Sequence, residues 1–207
     1  MSISNWINSN ILENKENIRK QFLEANFFEH ISINDFLIKE RAEKLFEALK
    51  EEKYYKEEND LYNFMRTVDF KNTKNKLIIE FRIFLFSEEF ISFIEDITNS
   101  NINRKVMDLH SLKLENTNYL LCHDDLVLGR QFAFIFNLSK NWKEEDGGKL
   151  ELFESDNKGE VLGKIFKSIT PNFNQFNMFK VQKISYHQIC EVVSNKERIS
   201  IGGWYHV

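Results

Sequence analysis

The chain of 207 residues carries a formal net charge of −4, with 42% hydrophobic and 29% charged residues, 20 phenylalanines, 7 glycines and 1 proline. That balance suits a soluble globular protein and excludes disordered and low-complexity classes. The acidic excess argues against direct nucleic-acid binding, which needs a basic surface, and leaves room for a basic protein or peptide partner. Cys122 and Cys190 are too few for a disulfide framework. No run reaches the roughly 18 apolar residues of a membrane span. The start MSISNWINSN lacks the basic and apolar regions of a signal peptide, so the expected location is the cytoplasm.

Residues 5–25 place Trp6, Ile7, Ile11, Ile18 and Phe22 at helical spacing and predict an amphipathic helical extension, 1–25, ahead of a single domain over 26–207. HISI (30–33) predicts a short strand. From Asp35 to Lys50, the positions of Ile38, Ala42, Leu45, Phe46 and Leu49 predict a second helix. The charged run KEEKYYKEEND (50–60) reads as a solvated helix end and loop. Ser87 can cap another helix, with Glu88 and Glu89 in its first turn and Phe90, Ile91, Ile94 and Ile97 on its apolar face. The front half, 26–110, therefore reads as largely helical.

The back half changes character. Phe132, Phe134 and Phe136 alternate with Ala133, Ile135 and Asn137, which is strand spacing. Asp146-Gly147-Gly148 is a turn signal, and Lys149 to Phe153 alternates again. Residues 154–170 read as a loop; 176–181, 185–193 and 198–205 read as strands. Helices followed by many strands predict an α+β domain on a sandwich or barrel.

The chemistry concentrates in HDDLVLGR (123–130). On a strand, residues two apart share a face, so His123 and Asp125 can aim at one ion while Asp124 points away. The plain alternative is a polar turn before a strand. A third ligand is needed, and of the five histidines (30, 110, 123, 187 and 206) His187 lies in the strand-like KISYHQICEVV. Two histidines and a carboxylate are the triad of non-haem iron(II) oxygenases, although a lone histidine in an apolar strand is also an ordinary core residue. Arg198 and Ser200 share a strand face, and an arginine fork grips a carboxylate at two points. The spacing from His187 to Arg198 suits adjacent antiparallel strands joined by a turn at 194–197. Cys122 and Cys190, beside strand histidines or near them, are weaker ligand candidates.

These residues resemble a family. HDD (123–125), GRQFAFIFNL (129–138), Trp142 with DGGKLELF (146–153), His187 and RISIGGWYH (198–206) resemble 2-oxoglutarate- and iron(II)-dependent oxygenases. Within that superfamily they resemble most the prolyl 3-hydroxylases of ribosomal small-subunit protein S12, as do HISINDFL (30–37) and DLYNFMRTVDF (60–70). The resemblance implies a double-stranded β-helix (jelly-roll, cupin-like) core, mainly 111–207, buttressed by N-terminal helices. It implies iron(II) held by His123, Asp125 and His187, with 2-oxoglutarate and dioxygen as cosubstrates and ascorbate as an accessory reductant. Arg198 and Ser200 would hold the distal carboxylate of 2-oxoglutarate.

The implied reaction hydroxylates a C–H bond of a prolyl residue in a ribosomal or translation-related protein, releasing succinate and carbon dioxide. The alternatives are the same chemistry on a free amino acid or small metabolite, and a barrel that binds metal or ligand without turnover. Leu114 and Asn137 stand where the subgroup commonly has tyrosines that touch the cosubstrate; Asn137 keeps an amide that can hydrogen-bond to it. Arg130 is a substrate-side candidate. Phe132, Phe134, Phe136 and Phe179 are candidates for keeping the barrel dry, and 60–75 and 154–175 for lids. The fungal and animal members carry a second, degenerate barrel, and the end at Val207 fits a minimal, bacterial-type member.

Overall fold

Alternation along two long strands sets the plan of the molecule. The computed structural model describes residues 2–156 and 158–207. Among these, the elements run α1 (Ser9–Glu13), α2 (Lys15–Leu23), β1 (His30–Ile33), α3 (Lys39–Lys50), β2 (Tyr55–Glu58), β3 (Tyr62–Arg66), α4 (Lys76–Leu85) and α5 (Glu88–Thr98). They continue as β4 (Met107–Leu114), β5 (Tyr119–His123), β6 (Arg130–Asn137), β7 (Leu150–Ser155), β8 (Val161–Ile169), β9 (Gln175–Lys180), β10 (His187–Ile189) and β11 (Arg198–His206).

The strands form one antiparallel sheet in the order β1-β9-β6-β11-β4-β3-β5-β10-β7-β8, with β2 added to β3. It curls into a nearly closed, jelly-roll barrel, which leaves few open edges. On β6 and β11 one face carries Phe132, Phe134, Phe136, Ile199, Ile201 and Tyr205. These pack with Trp6, Phe22, Phe36, Phe81, Phe84 and Phe90 of the helical side in one core. Phe36 stacks on Phe176 with centroids 4.4 Å apart and meets Phe136 edge-on at 5.8 Å. Each fully buried phenylalanine contributes about 1.5–3 kcal/mol. The phenylalanines of β6 thus mainly join barrel to helices. The opposite face, with Asn137, Ser200 and Trp204, is left for the barrel interior.

The caps are local and polar. Ser87 Oγ accepts from Phe90 N at 3.3 Å to start α5, which ends at Asn99 with φ of +52°. Asn75 Oδ1 accepts from Leu77 N at 3.0 Å to start α4. No helix among the described residues is long and apolar enough to cross a membrane.

Several sequence expectations change. The first helix is broken into a 3-10 turn (Ile3–Asn5), α1 and α2, because Asn8 caps α1 and Asn14 separates it from α2. Trp6, Ile7, Ile18 and Phe22 are nonetheless buried in the main core. The charged run 50–60 contains a strand, β2, whose Glu57 pairs with Arg66 of β3 at 2.8 Å. The front half therefore also gives the sheet β1, β2 and β3. Much of the run expected as a loop over 154–170 is strand: β8 (Val161–Ile169) pairs with β7, and residue 157 lies outside the described residues. The run 185–193 holds only the three-residue strand β10. Finally, β10 pairs with β5 and β7 while β11 pairs with β4 and β6, so His187 and Arg198 do not lie on adjacent strands. After Ile189 the chain leaves the sheet, held by a bridge between Gly147 and Val192.

Candidate active site

Register brings the two histidines together. His123 ends β5 and sits opposite His187 of β10, with ring centroids 4.2 Å apart. His123 Nδ1 lies 2.7 Å from the Leu121 carbonyl, and His187 Nδ1 lies 2.9 Å from the Ser185 carbonyl. A carbonyl only accepts, so each Nδ1 carries the hydrogen and each Nε2 offers a lone pair.

Asp125 is aimed by a turn and not by strand alternation. It lies beyond the end of β5 with φ of +60°, a region that aspartate tolerates better than most residues. Val127 N donates to the Asp125 carbonyl at 2.7 Å, and Leu126 N donates to Asp124 Oδ1 at 3.0 Å. This turns Asp124 to main-chain capping. Asp125 Oδ1 then stands 3.3 Å from His123 Nε2, and Oδ2 stands 3.3 Å from His187 Nε2. One ligand atom from each of the three residues lies within 4.8 Å of the others. Two imidazole nitrogens and one carboxylate fit an iron(II)-type triad that leaves positions open.

The surroundings support the charge on Asp125. Burial alone would raise its carboxyl, but His187 and His123 hold it well below the usual carboxylate range. Burial likewise works to lower His123, and Asp125 outweighs it, so the net shift is upward. Trp204 Nε1 donates to Asp125 Oδ2 at 2.9 Å. Arg130 lies over the Trp204 ring at 3.5 Å, with Nη1 3.8 Å from Asp125 Oδ1 and Nε 3.4 Å from Asp108. Phe179 packs on His187 at 4.4 Å.

Arg198 lies on β11 two residues before Ser200. It is fully buried; Nη2 donates to Asn137 Oδ1 at 3.2 Å, while Nε and Nη1 have no partner. Burial pushes its pKa down to about 10, which leaves it a cation at neutral pH. A buried cation with unpaired donors is costly, and an incoming carboxylate would satisfy it. Gly148 makes room: with φ of +63°, a Cβ there would lie 3.0 Å from Arg198 Cδ and 3.1 Å from Val192 Cγ2. Leu114 is the register partner of Arg198 on β4 and is buried with Trp142 and Val192. Ser200 lines the same cavity as His123, Asp125 and His187. Asn137 Nδ2 gives one of its two hydrogens to Gln175 Oε1 at 2.9 Å.

A second, open cavity of about 450 Å³ lies beyond Trp204 and Arg130, walled also by Asp108, His110, Tyr55 and Arg66. Local sequence pattern assigns no role to Trp204, His110 or Asp108, which the fold brings to this wall. The stretch 60–75 gives this wall Arg66, Thr67, Val68 and Asp69, whereas no described residue of 154–175 lines either cavity. Cys190 Sγ accepts from Lys149 N at 3.1 Å, and neither cysteine joins the triad.

A barrel with this triad and a buried arginine on an inner strand defines a class. Residues 109–206 match the family model of the 2OG-Fe(II) oxygenase superfamily, to which the chain belongs over this region. Proteins of that superfamily use iron(II), 2-oxoglutarate and dioxygen. The chain is 40% identical over 174 residues to the prolyl 3-hydroxylase OGFOD1 of Xenopus laevis, covering 84% of this chain and 32% of that protein. It is 33% identical over 189 residues to its counterpart in Mus musculus, covering 89% of this chain and 34% of that protein. It thus spans about a third of the length of these relatives. The crystal structure of a Pseudomonas putida prolyl-4-hydroxylase superposes with a TM-score of 0.74 at 14% identity, covering 93% of this chain and 98% of that one, and shows the shared fold.

Proposed function

We propose that the chain is a 2-oxoglutarate-dependent dioxygenase that hydroxylates a C–H bond of a prolyl residue in a protein. The balanced reaction is R–H plus 2-oxoglutarate plus dioxygen giving R–OH, succinate and carbon dioxide. One observation carries the reading: three ligand atoms within 4.8 Å of one another in a barrel that also buries Arg198 with two unpaired donors. His123, Asp125 and His187 would hold iron(II), and Arg198 with Ser200 the distal carboxylate of the cosubstrate. Bound iron supplies the oxidative chemistry, and the residues of this chain orient the reactants and exclude water.

Trp204 and the hydrogen-bonded histidines fix the ligands. Phe179 and the apolar wall keep the interior dry. Arg130, between Asp125 and the open cavity, is the substrate-side residue in this reading and would meet a main-chain carbonyl or an acidic group. The names of the relatives support a prolyl target, and the resemblance to the S12 hydroxylases makes a ribosomal or translation-related protein the first candidate.

The test is succinate formation with proline-containing S12 peptides against free amino acids. Asp125→Ala and His187→Ala should abolish it, and Asp124→Ala should keep most of it. Full activity of Asp125→Ala would overturn the ligand assignment. Turnover of free amino acids alone would overturn the protein substrate.

A further inference from the structure

Asn137 stands in a line of side-chain amides that starts at Arg198 and ends at the surface. Asn137 Oδ1 accepts from Arg198 Nη2 at 3.2 Å, and Asn137 Nδ2 donates to Gln175 Oε1 at 2.9 Å. The same Gln175 oxygen accepts from Asn177 Nδ2 at 3.2 Å, and Gln175 Nε2 donates to Asn34 Oδ1 at 3.1 Å. Register explains the line. Ser200 of β11 sits opposite Asn137 of β6, and Asn137 sits opposite Gln175 of β9. Asn137, Gln175 and Asn177 are all buried, whereas Asn34 is exposed in the turn after β1.

The direction of the line is forced. A guanidinium only donates, so Asn137 must turn its oxygen to Arg198 and its NH₂ away. That buried NH₂ needs an acceptor, or its desolvation is uncompensated. Gln175 Oε1 is the acceptor, which leaves the Gln175 NH₂ pointing outward to Asn34. If Gln175 could not accept, Asn137 would lose the bond that fixes its amide plane, and Arg198 would lose its one hydrogen-bonded anchor. Gly148 leaves the Arg198 stem its space, since a Cβ there would lie 3.0 Å from Arg198 Cδ.

We propose that Gln175 is a positioning residue: through Asn137 it sets the rotamer of Arg198 and so the depth at which the distal carboxylate of the cosubstrate is held. This rests on the reading of Arg198 given under the proposed function. It also accounts for an asparagine at 137, since a side chain that both accepts from Arg198 and donates to Gln175 must be an amide or its equivalent.

The test is calorimetric titration of the manganese(II)-loaded protein, without turnover, with 2-oxoglutarate and with 2-oxoadipate, which is one methylene longer. Gln175→Met keeps the volume and removes the acceptor. It should weaken 2-oxoglutarate binding on the order of tenfold, the scale of one lost buried hydrogen bond, and weaken 2-oxoadipate less, so the preference narrows. Gln175→Glu keeps the acceptor, with Asn34 free to flip its amide, and should bind within about threefold of wild type. Thermal unfolding without ligand separates loss of fold from loss of position. Should Gln175→Met not fold, Asn34→Ala at the exposed end should still weaken 2-oxoglutarate binding about twofold to threefold. Wild-type affinity and preference in folded Gln175→Met, or in Asn34→Ala should Gln175→Met not fold, or equal weakening of both acids by Gln175→Met, would overturn the role of Gln175. A wild-type protein that binds no 2-oxoglutarate would instead overturn the cosubstrate reading beneath it.

Discussion

His123 and His187 are cross-strand partners, and each donates its Nδ1 hydrogen to the carbonyl two residues before it. The same local device on two strands leaves two Nε2 atoms facing one carboxylate, Asp125, at 3.3 Å each. The Nδ1 side of each histidine is held by main chain. The carboxylate depends on a side chain, Trp204, for the hydrogen bond to Oδ2.

Trp204→Phe should therefore keep the barrel and loosen the metal. Loss of an outer partner of a ligand typically costs 10–100-fold in metal affinity. Competition titration of manganese(II) against a chelator measures it. Unchanged affinity would mean that Asp125 is held by its turn alone.

Gly148→Ala tests the space beside Arg198. The new methyl would lie 3.0 Å from Arg198 Cδ at a φ of +63°, so both backbone and side chain resist it. Left-handed strain at a non-glycine residue costs roughly 1–3 kcal/mol. The variant should lose about that much stability in denaturant unfolding and also bind 2-oxoglutarate more weakly. Loss of stability with wild-type binding would separate Gly148 from the site.

His110 gives a pH prediction. Burial pushes its pKa down from 6.5 to about 4; Arg66 and Arg130 push the same way, and Asp108 and Asp125 oppose them. The folded chain thus keeps His110 neutral where the unfolded chain protonates it. Between about pH 6.5 and 4 the unfolded state binds more protons, so stability falls as pH falls through that window, and the penalty vanishes above it. Between pH 7 and 5 this amounts to about 2 kcal/mol. His110→Gln should lose that much less over the same interval in urea unfolding. Parallel pH profiles would contradict the shift.

The cluster of His123, Asp125 and His187 was legible because H-x-D and a histidine in an apolar strand have few other uses together. How Asp125 is aimed was not legible: strand alternation predicts the right face for the wrong reason, since a left-handed turn does the work. β2 was hidden because an edge strand with Tyr55, Lys56, Glu57 and Glu58 has no apolar alternation to read. β8 was hidden because, among the described residues, it pairs only with β7 and leaves Val161, Leu162 and Ile165 exposed. The separation of β10 from β11, and the bonds of Trp204 and Gln175, depend on long-range register that no local window contains.

The most direct measurement of the central claim is an anaerobic titration of the iron(II)-loaded protein with 2-oxoglutarate, read by visible absorbance. A metal-to-ligand charge-transfer band that saturates with 2-oxoglutarate, and is lost in Asp125→Ala, is the predicted result. Tight iron binding with no band would contradict a triad that leaves positions open for a keto acid.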